Sequence, residues 1–123
     1  MIIGIGTDII EISRIKDASA TLSFLNKCFT PEELEYYNDG PIKDPAALAG
    51  RFAAKEAIAK AMGTGIRGFS PADIEILADE RGKPYVNLYS GALVVFKKLN
   101  ASAVHLTISH CKNYAVAFAV IEG

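Results

Sequence analysis

The chain has 123 residues, half of them apolar, and its 13 basic side chains nearly balance 14 acidic ones. That length fits one domain that buries about two-thirds of its unfolded surface. The even charge gives no indication of nucleic acid or an anionic membrane as a partner. The longest apolar runs fall far short of the roughly 18 residues of a membrane span, and no signal-peptide pattern opens the chain. A cytoplasmic protein is therefore expected.

The first element is defined by isoleucine and glycine. Residues 2–10 are rich in β-branched side chains and are interrupted by Gly4 and Gly6. This composition predicts a buried strand that another part of the backbone approaches closely. The strand is expected to end near Asp8.

Helices are predicted for the next part of the chain. Residues 13–28 favour one or two short helices. Thr30 and Pro31 then form a start signal, an N-cap followed by proline at the first helical position, with two acids in the first turn. That helix is expected to run to about residue 38, with a loop over residues 39–43.

The longest helix begins with the same signal, here at Asp44 and Pro45, and is expected to reach Met62. Gly63 and Gly65 stop it. Its high alanine content favours helix and lets neighbouring backbones come close. This predicts a central helix packed on several sides.

Strand patterns dominate the last third of the chain. Residues 73–78 and 85–89 flank a turn and predict a hairpin, and residues 90–99 resemble a helix. Residues 103–109 alternate between apolar and polar, whereas residues 114–121 predict a more uniformly buried strand. No repeat or linker divides the chain. The pattern therefore predicts a single α+β domain, with a mostly antiparallel sheet packed on one long central helix.

The long helix also carries the strongest candidate site. Glu56 and Lys60 are at i and i+4, so they project from the same face. Most such pairs are surface ion pairs that stabilise a helix by roughly 0.2–0.5 kcal/mol and do nothing else. Asp8 offers a second carboxylate, although an aspartate after a strand is about as often a turn or N-cap residue. If Asp8 and Glu56 converge, they suit Mg²⁺, and Lys60 adds a point charge for phosphate, which outlines a phosphoryl-transfer site.

Other candidates carry weaker signals. His110 follows the alternating strand, where a histidine more commonly caps the strand, and His105 fits an ordinary sheet position. The glycine-rich residues 63–68 lack the GK[ST] ending of a phosphate loop and follow a helix, so they indicate a helix stop. Cys28 and Cys111 are isolated and predict neither a disulfide nor a metal site.

Five sequence blocks together resemble the bacterial holo-[acyl-carrier-protein] synthases, in order and spacing from end to end: GIGTDIIEISRI at 4–15, FTPEEL at 29–34, AGRFAAKEAIAKAMGTG at 49–65, GKP at 82–84 and TISH at 107–110. This resemblance implies a phosphopantetheinyl transferase. Coenzyme A gives its phosphopantetheine arm to a serine of apo acyl carrier protein, adenosine 3',5'-bisphosphate leaves, and Mg²⁺ is the expected ion. The resemblance also implies a homotrimer with active sites between subunits.

By this resemblance Asp8 and Glu56 match the metal ligands, and Lys60 matches the lysine that assists the departing phosphate of coenzyme A. The general base stays open between Glu56 and a metal-bound water. Two other functions also stay open: a coenzyme A or nucleotide binding module without turnover, and another magnesium-dependent phosphoryl-transfer enzyme acting on a small nucleotide. Neither explains the end-to-end match as well.

The resemblance also implies binding roles outside the carboxylate pair. Arg51, Gly63 and His110 match positions expected near coenzyme A. Arg14 matches a basic position that docks the acidic helix of the carrier protein, although taken alone it fits an ordinary solvated helix face. Relatives often carry several arginines after the first strand, whereas residues 17–27 hold one basic side chain. A weaker or displaced docking surface is therefore expected.

Overall fold

The structure, a computed structural model, describes residues 1–39 and 44–123. Its elements, in chain order, are β1 (Ile2–Glu11), α1 (Ile12–Ala18), α2 (Leu22–Cys28), α3 (Pro31–Asp39), α4 (Pro45–Ala61), a 3₁₀ turn (Pro71–Asp73), β2 (Ile74–Ala78), β3 (Pro84–Leu88), α5 (Ser90–Lys98), β4 (Ala103–His110) and β5 (Tyr114–Glu122). Asp39 belongs to α3, and the rest of the loop expected over 39–43 lies outside the described residues.

The helix starts follow the local signals in the sequence. The Asp44 side chain accepts a hydrogen bond from a backbone N–H two residues on, and Pro45 occupies the first position of α4. Thr30 caps α3 in the same manner, because its hydroxyl accepts from a backbone N–H three residues on. α4 ends at Ala61, one residue before the expected end, and Gly63 follows with a φ of +83°. A left-handed glycine is a common helix stop.

Two antiparallel sheets accompany the helices. The larger has the strand order β1-β5-β4, and β2 and β3 form the separate predicted hairpin. α4 lies against one face of the larger sheet, where its alanines and Ile58 pack on Ala117, Ala119 and Ile121 of β5. The predicted α+β fold with one long central helix is confirmed. Over the described part of the chain, no helix combines the length and apolarity needed to cross a membrane.

The predicted burial of β1 and β5 on both faces is wrong. Ile5 and Ile9 of β1 are 62% and 66% exposed, and Val116 and Phe118 of β5 are 36% and 43% exposed. β5 alternates strictly over its first half, with alanines inward and larger apolar side chains outward. The reason is that α4 covers one face of this sheet and leaves those side chains on the other face.

The predicted end of β1 is also wrong. β1 continues to Glu11, because β5 is long enough to pair with it throughout, with Asp8 opposite Ala117 and Glu11 opposite Tyr114. Asp8 therefore lies inside a strand. Its alternative interpretation as a turn or N-cap residue is excluded.

Candidate active site

β1 packs directly on the backbone of α4. A Cβ atom added at Gly4 would lie 1.9 Å from the carbonyl oxygen of Ala61, and one added at Gly6 would lie 2.0 Å from that of Ala57. The close backbone approach predicted from these glycines is confirmed. Two residues of strand span about 6.7 Å and four residues of helix span about 6 Å. Successive inward residues of β1 therefore lie beside successive turns of α4, running toward the start of the helix.

Asp8 is the next inward residue of β1, beside the turn of α4 that precedes Ala57. Its carboxylate accepts a hydrogen bond from Lys60 Nζ at 3.1 Å, and the same ammonium donates to the carbonyl of Thr7 at 3.0 Å. The side chains of Asp8 and Lys60 are 17% and 51% exposed. Lys60 thus bridges to β1, and its ion pair is with Asp8 rather than the i, i+4 partner Glu56.

Glu56 lies half-buried on α4 near the same point. Burial raises the pKa of Glu56, the negative charge of Asp8 raises it further, and Lys60 lowers it. The effect of Asp8 places the two carboxylates within electrostatic reach of each other. Lys60 pairs with Asp8, and a bound cation would offset the repulsion between the Asp8 and Glu56 carboxylates.

The donor set fits a hard cation such as Mg²⁺. Its ligands are carboxylate oxygens, and Mg²⁺ typically takes one or two protein carboxylates and completes its shell with water and substrate phosphates. Within the described ranges, no group of three or more His, Cys, Asp or Glu side chains is arranged to hold a metal. The chain would therefore contribute Asp8 and Glu56, and the substrate would contribute further oxygens.

Arg51 lies on another side of α4, against α3. Its guanidinium is 4.3 Å from the centre of the Tyr36 ring and Nη1 donates to the carbonyl of Glu33 at 3.5 Å. Burial lowers the pKa of Arg51. Five positions separate Arg51 from Glu56, which is about 140° around the helix axis. The structure does not bring Arg51 to the carboxylate pair.

The other predicted binding residues are dispersed over the chain. Gly63 ends α4, and Arg14 is exposed on α1. His110 is exposed at the last position of β4, the strand at the opposite edge of the sheet from β1. One chain thus groups Asp8, Glu56 and Lys60, with Gly63 one turn beyond Lys60 and bonded to its carbonyl, whereas His110 lies across the sheet.

Sequence reasoning missed a buried ion pair behind the site. Lys55 Nζ lies 2.8 Å from Glu33 Oε1, with side-chain exposures of 1% and 0%. Two signals were available. Thr30 and Glu33 have the spacing of a capping box, and Lys55 stands among alanines that pack into the core.

Comparisons with known proteins define the family. The model of the 4'-phosphopantetheinyl transferase superfamily matches residues 4–119. Because the match covers most of the chain, the chain belongs to this superfamily.

The relatives narrow the assignment. A holo-[acyl-carrier-protein] synthase of Clostridium perfringens (strain 13 / Type A) is 52% identical over 128 residues, covering 100% of this chain and 96% of that protein. The crystal structure of the synthase from Neisseria meningitidis has a TM-score of 0.89 at 41% identity and covers 100% of both chains. The synthase from Bacillus anthracis str. Ames, in complex with coenzyme A (3',5'-ADP), has a TM-score of 0.82 at 40% identity and covers 99% of this chain and 97% of that one. Within the superfamily, the chain is a member of the holo-[acyl-carrier-protein] synthases and is an enzyme, which confirms the resemblance found in the sequence.

Proposed function

We propose that this chain transfers the phosphopantetheine arm of coenzyme A to a serine of apo acyl carrier protein, releases adenosine 3',5'-bisphosphate and requires Mg²⁺. The observation that carries the proposal is that Asp8 on β1 and Glu56 on α4 lie within electrostatic reach of each other, with Lys60 paired to Asp8. The coenzyme A complex of the B. anthracis relative supports coenzyme A as the donor. We further propose that residues 1–123 form one transferase domain that acts in the cytoplasm, where its two free cysteines stay reduced.

In this proposal Asp8 and Glu56 hold the cation and Lys60 serves the leaving group. When bound, Mg²⁺ supplies positive charge at the pyrophosphate oxygens of coenzyme A, where negative charge accumulates during phosphoryl transfer. The side chain of Lys60 is half exposed. Its ammonium can therefore exchange its hydrogen bonds to Asp8 and Thr7 for contact with the phosphate of the departing adenosine bisphosphate. The carrier protein provides the serine nucleophile, so the chain itself needs none.

We propose that Arg51, Gly63 and His110 contact coenzyme A and that Arg14 docks the carrier protein. Arg51 and His110 lie away from Asp8 and Glu56 in one chain, which suits sites built between neighbouring subunits. His110, at the far edge of the sheet from Asp8, is then available to the site of a second copy. Arg14 and the neighbouring Lys16 are the exposed positive charges that α1 offers to an acidic carrier helix, and residues 17–27 add one more basic side chain.

The outer face of the larger sheet supports the proposed homotrimer. Ile5, Ile9, Val116 and Phe118 together expose an apolar surface on one side of β1 and β5. Contiguous apolar surface of this kind marks a contact with another protein. We propose that further copies of this chain cover it.

The test is to incubate the protein with coenzyme A, Mg²⁺ and an apo carrier protein and to measure the mass of the carrier. The carrier is expected to gain one phosphopantetheine, and chelation of Mg²⁺ by EDTA is expected to stop the gain. Glu56→Gln and Asp8→Asn are expected to lower the rate at least about 100-fold, since each removes a charge from the cation site. Glu80→Gln removes an exposed acid in the hairpin turn and serves as the matched control.

Four results would contradict the proposal. A carrier of unchanged mass across several carrier proteins would exclude transfer, and coenzyme A binding without transfer would indicate a binding module. Full activity of Glu56→Gln would exclude the proposed site. Turnover of coenzyme A with no carrier present would instead indicate an enzyme acting on a small nucleotide.

A further inference from the structure

Lys55 is a charged side chain completely enclosed by the protein. Its ammonium has three N–H donors and donates to three acceptors: Glu33 Oε1 at 2.8 Å, the carbonyl of Pro71 at 3.2 Å and the carbonyl of Ile74. Burial lowers the pKa of Lys55, and the adjacent Glu33 carboxylate opposes that effect. Every donor of Lys55 therefore has a defined direction.

Glu33 is fixed just as completely. Besides Lys55, its carboxylate accepts from the backbone N–H of Thr30 at 2.9 Å and from that of Ile76 at 3.1 Å. The pair therefore connects α4 to the start of α3 and to β2. A buried ion pair is weak support for stability, because well-packed apolar side chains of similar volume are often equally stable. Stability alone does not explain why an apolar interior keeps this pair.

The surface of α4 suggests what the pair adds. Most of its buried positions are alanine: Ala46, Ala49, Ala53, Ala54, Ala57, Ala59 and Ala61. Helices normally set their orientation by interlocking ridges and grooves of larger side chains. Alanine ridges are shallow, so they restrict rotation of α4 about its own axis only weakly. Directed hydrogen bonds add to that restriction: Lys60 bonds to β1 on one side of α4, and Lys55 bonds to α3, the 3₁₀ turn and β2 on another.

Rotation of α4 determines where Glu56 points. Lys55 and Glu56 are consecutive, so their side chains leave the helix about 100° apart. A carboxylate about 6 Å from the helix axis moves by about 1 Å for each 10° of rotation. Asp8 is held by its strand, because β1 pairs with β5 along its length, so its carboxylate does not turn with α4.

We propose that Lys55, held by Glu33, is a positioning residue: it fixes the rotation of α4 so that the carboxylate of Glu56 meets that of Asp8 at the cation site. This inference rests on the function proposed above, in which Asp8 and Glu56 bind Mg²⁺. Lys55 touches neither the cation nor the substrate. Its effect is carried entirely by the helix.

The test uses Mn²⁺ as a probe of the full-length protein without coenzyme A or carrier. The double variant Lys55→Met, Glu33→Gln removes both charges and keeps the side-chain lengths, so that neither partner is left as an unpaired buried charge. Mn²⁺ affinity is measured by electron paramagnetic resonance, and melting by circular dichroism. Ile121→Val, a buried β5 substitution outside the network, provides a variant destabilised without loss of the ion pair.

The double variant is expected to stay folded at 20 °C and to bind Mn²⁺ about 10- to 100-fold more weakly, the range typical when a group that orients a metal ligand is lost. Turnover at fixed Mg²⁺ is expected to fall by a similar factor and to recover partly at high Mg²⁺. Ile121→Val is expected to bind Mn²⁺ as the wild type does. If the double variant does not fold, Glu33→Gln alone, which is nearly isosteric, is expected to weaken Mn²⁺ binding several-fold.

The outcomes distinguish this inference from the proposed function. A folded double variant, or a folded Glu33→Gln, with wild-type Mn²⁺ affinity would overturn the positioning role while leaving the site intact. Wild-type protein whose Mn²⁺ binding is absent, or is unaffected by Glu56→Gln, would overturn the proposed site and this inference with it. Weaker binding in Ile121→Val to the same extent as in the double variant would assign the effect to stability and would also overturn the inference.

Discussion

The contact between β1 and α4 predicts the effect of a single added methyl group. In Gly6→Ala, the new Cβ atom would lie 2.0 Å from the carbonyl oxygen of Ala57 and 2.7 Å from the backbone nitrogen of Ala61. Ordinary contacts of a Cβ atom begin at 3.4 Å, so β1 must move away from α4 by about 1.4 Å. Both obstructing atoms belong to a helix backbone and do not move aside by changing a rotamer.

Two separate losses follow from that movement. Overpacking of this kind costs about 1–3 kcal/mol, and at about 4 °C per kcal/mol for a domain of this size the melting temperature falls by about 4–12 °C. Asp8 lies two residues along the strand and moves with it, away from Glu56. A displacement of about 1 Å in a catalytic group lowers the rate by roughly 100-fold. Initial rates of carrier modification are measured at 20 °C, where the variant is still folded. They report the loss of catalytic rate separately from the loss of stability.

Gly50→Ala is the matched control. Its new Cβ atom would lie 2.8 Å from Cγ2 of Ile108, a single side-chain methyl that must move by about 0.6 Å to reach ordinary contact at 3.4 Å. Alanine also favours the helix over glycine by up to about 1 kcal/mol. Its melting temperature is expected within about 3 °C of the wild type, with an unchanged rate. A Gly6→Ala variant with wild-type melting and rate would refute the tight contact between β1 and α4.

Three further predictions concern other parts of the molecule. Asp44→Ala removes the cap of α4 and is expected to cost about 1 kcal/mol, measured by urea unfolding; no loss would contradict the capping role. Phe118→Lys puts a charge on the apolar sheet face and is expected to convert the proposed trimer to monomers in sedimentation with unchanged circular dichroism, and a surviving trimer would contradict the proposed interface. Towards a thiol reagent, Cys111 is expected to react first, because hydrogen bonds from the backbone of Asn113 and Tyr114 lower the pKa of this exposed thiol and the thiolate is the reactive form. Cys28 is expected to react only on unfolding, because burial raises its pKa; equal rates for the two thiols would be inconsistent with this assignment.

Local signals in the sequence predicted most of the elements. The capping residues Thr30 and Asp44, each followed by proline, placed two helix starts correctly, because a cap needs only residues a few positions away. The i, i+4 spacing likewise put Glu56 and Lys60 on one side of α4. The end-to-end resemblance gave the family, which the comparisons confirm.

Other features depend on distant parts of the chain and could not be predicted this way. The end of β1 was predicted near Asp8, whereas the strand runs to Glu11. Its true end depends on the length of β5, which pairs with it and lies far away in the sequence. Val116 and Phe118 are apolar whether they face a core or a neighbouring subunit, so hydropathy could not place them outside. Lysine is usually a surface residue, and Lys55 is buried because Glu33 of α3 packs against it and pairs with its charge.

The pairing of β1 with β5 determines when the site comes into existence during synthesis. β1 leaves the ribosome well before β5, its hydrogen-bonding partner. Such long-range pairing is slow to form, and the waiting strand exposes unpaired backbone and isoleucines to other chains. Asp8 cannot be held opposite Glu56 until residues 114–122 have emerged, so an unfinished chain is both inactive and prone to aggregate.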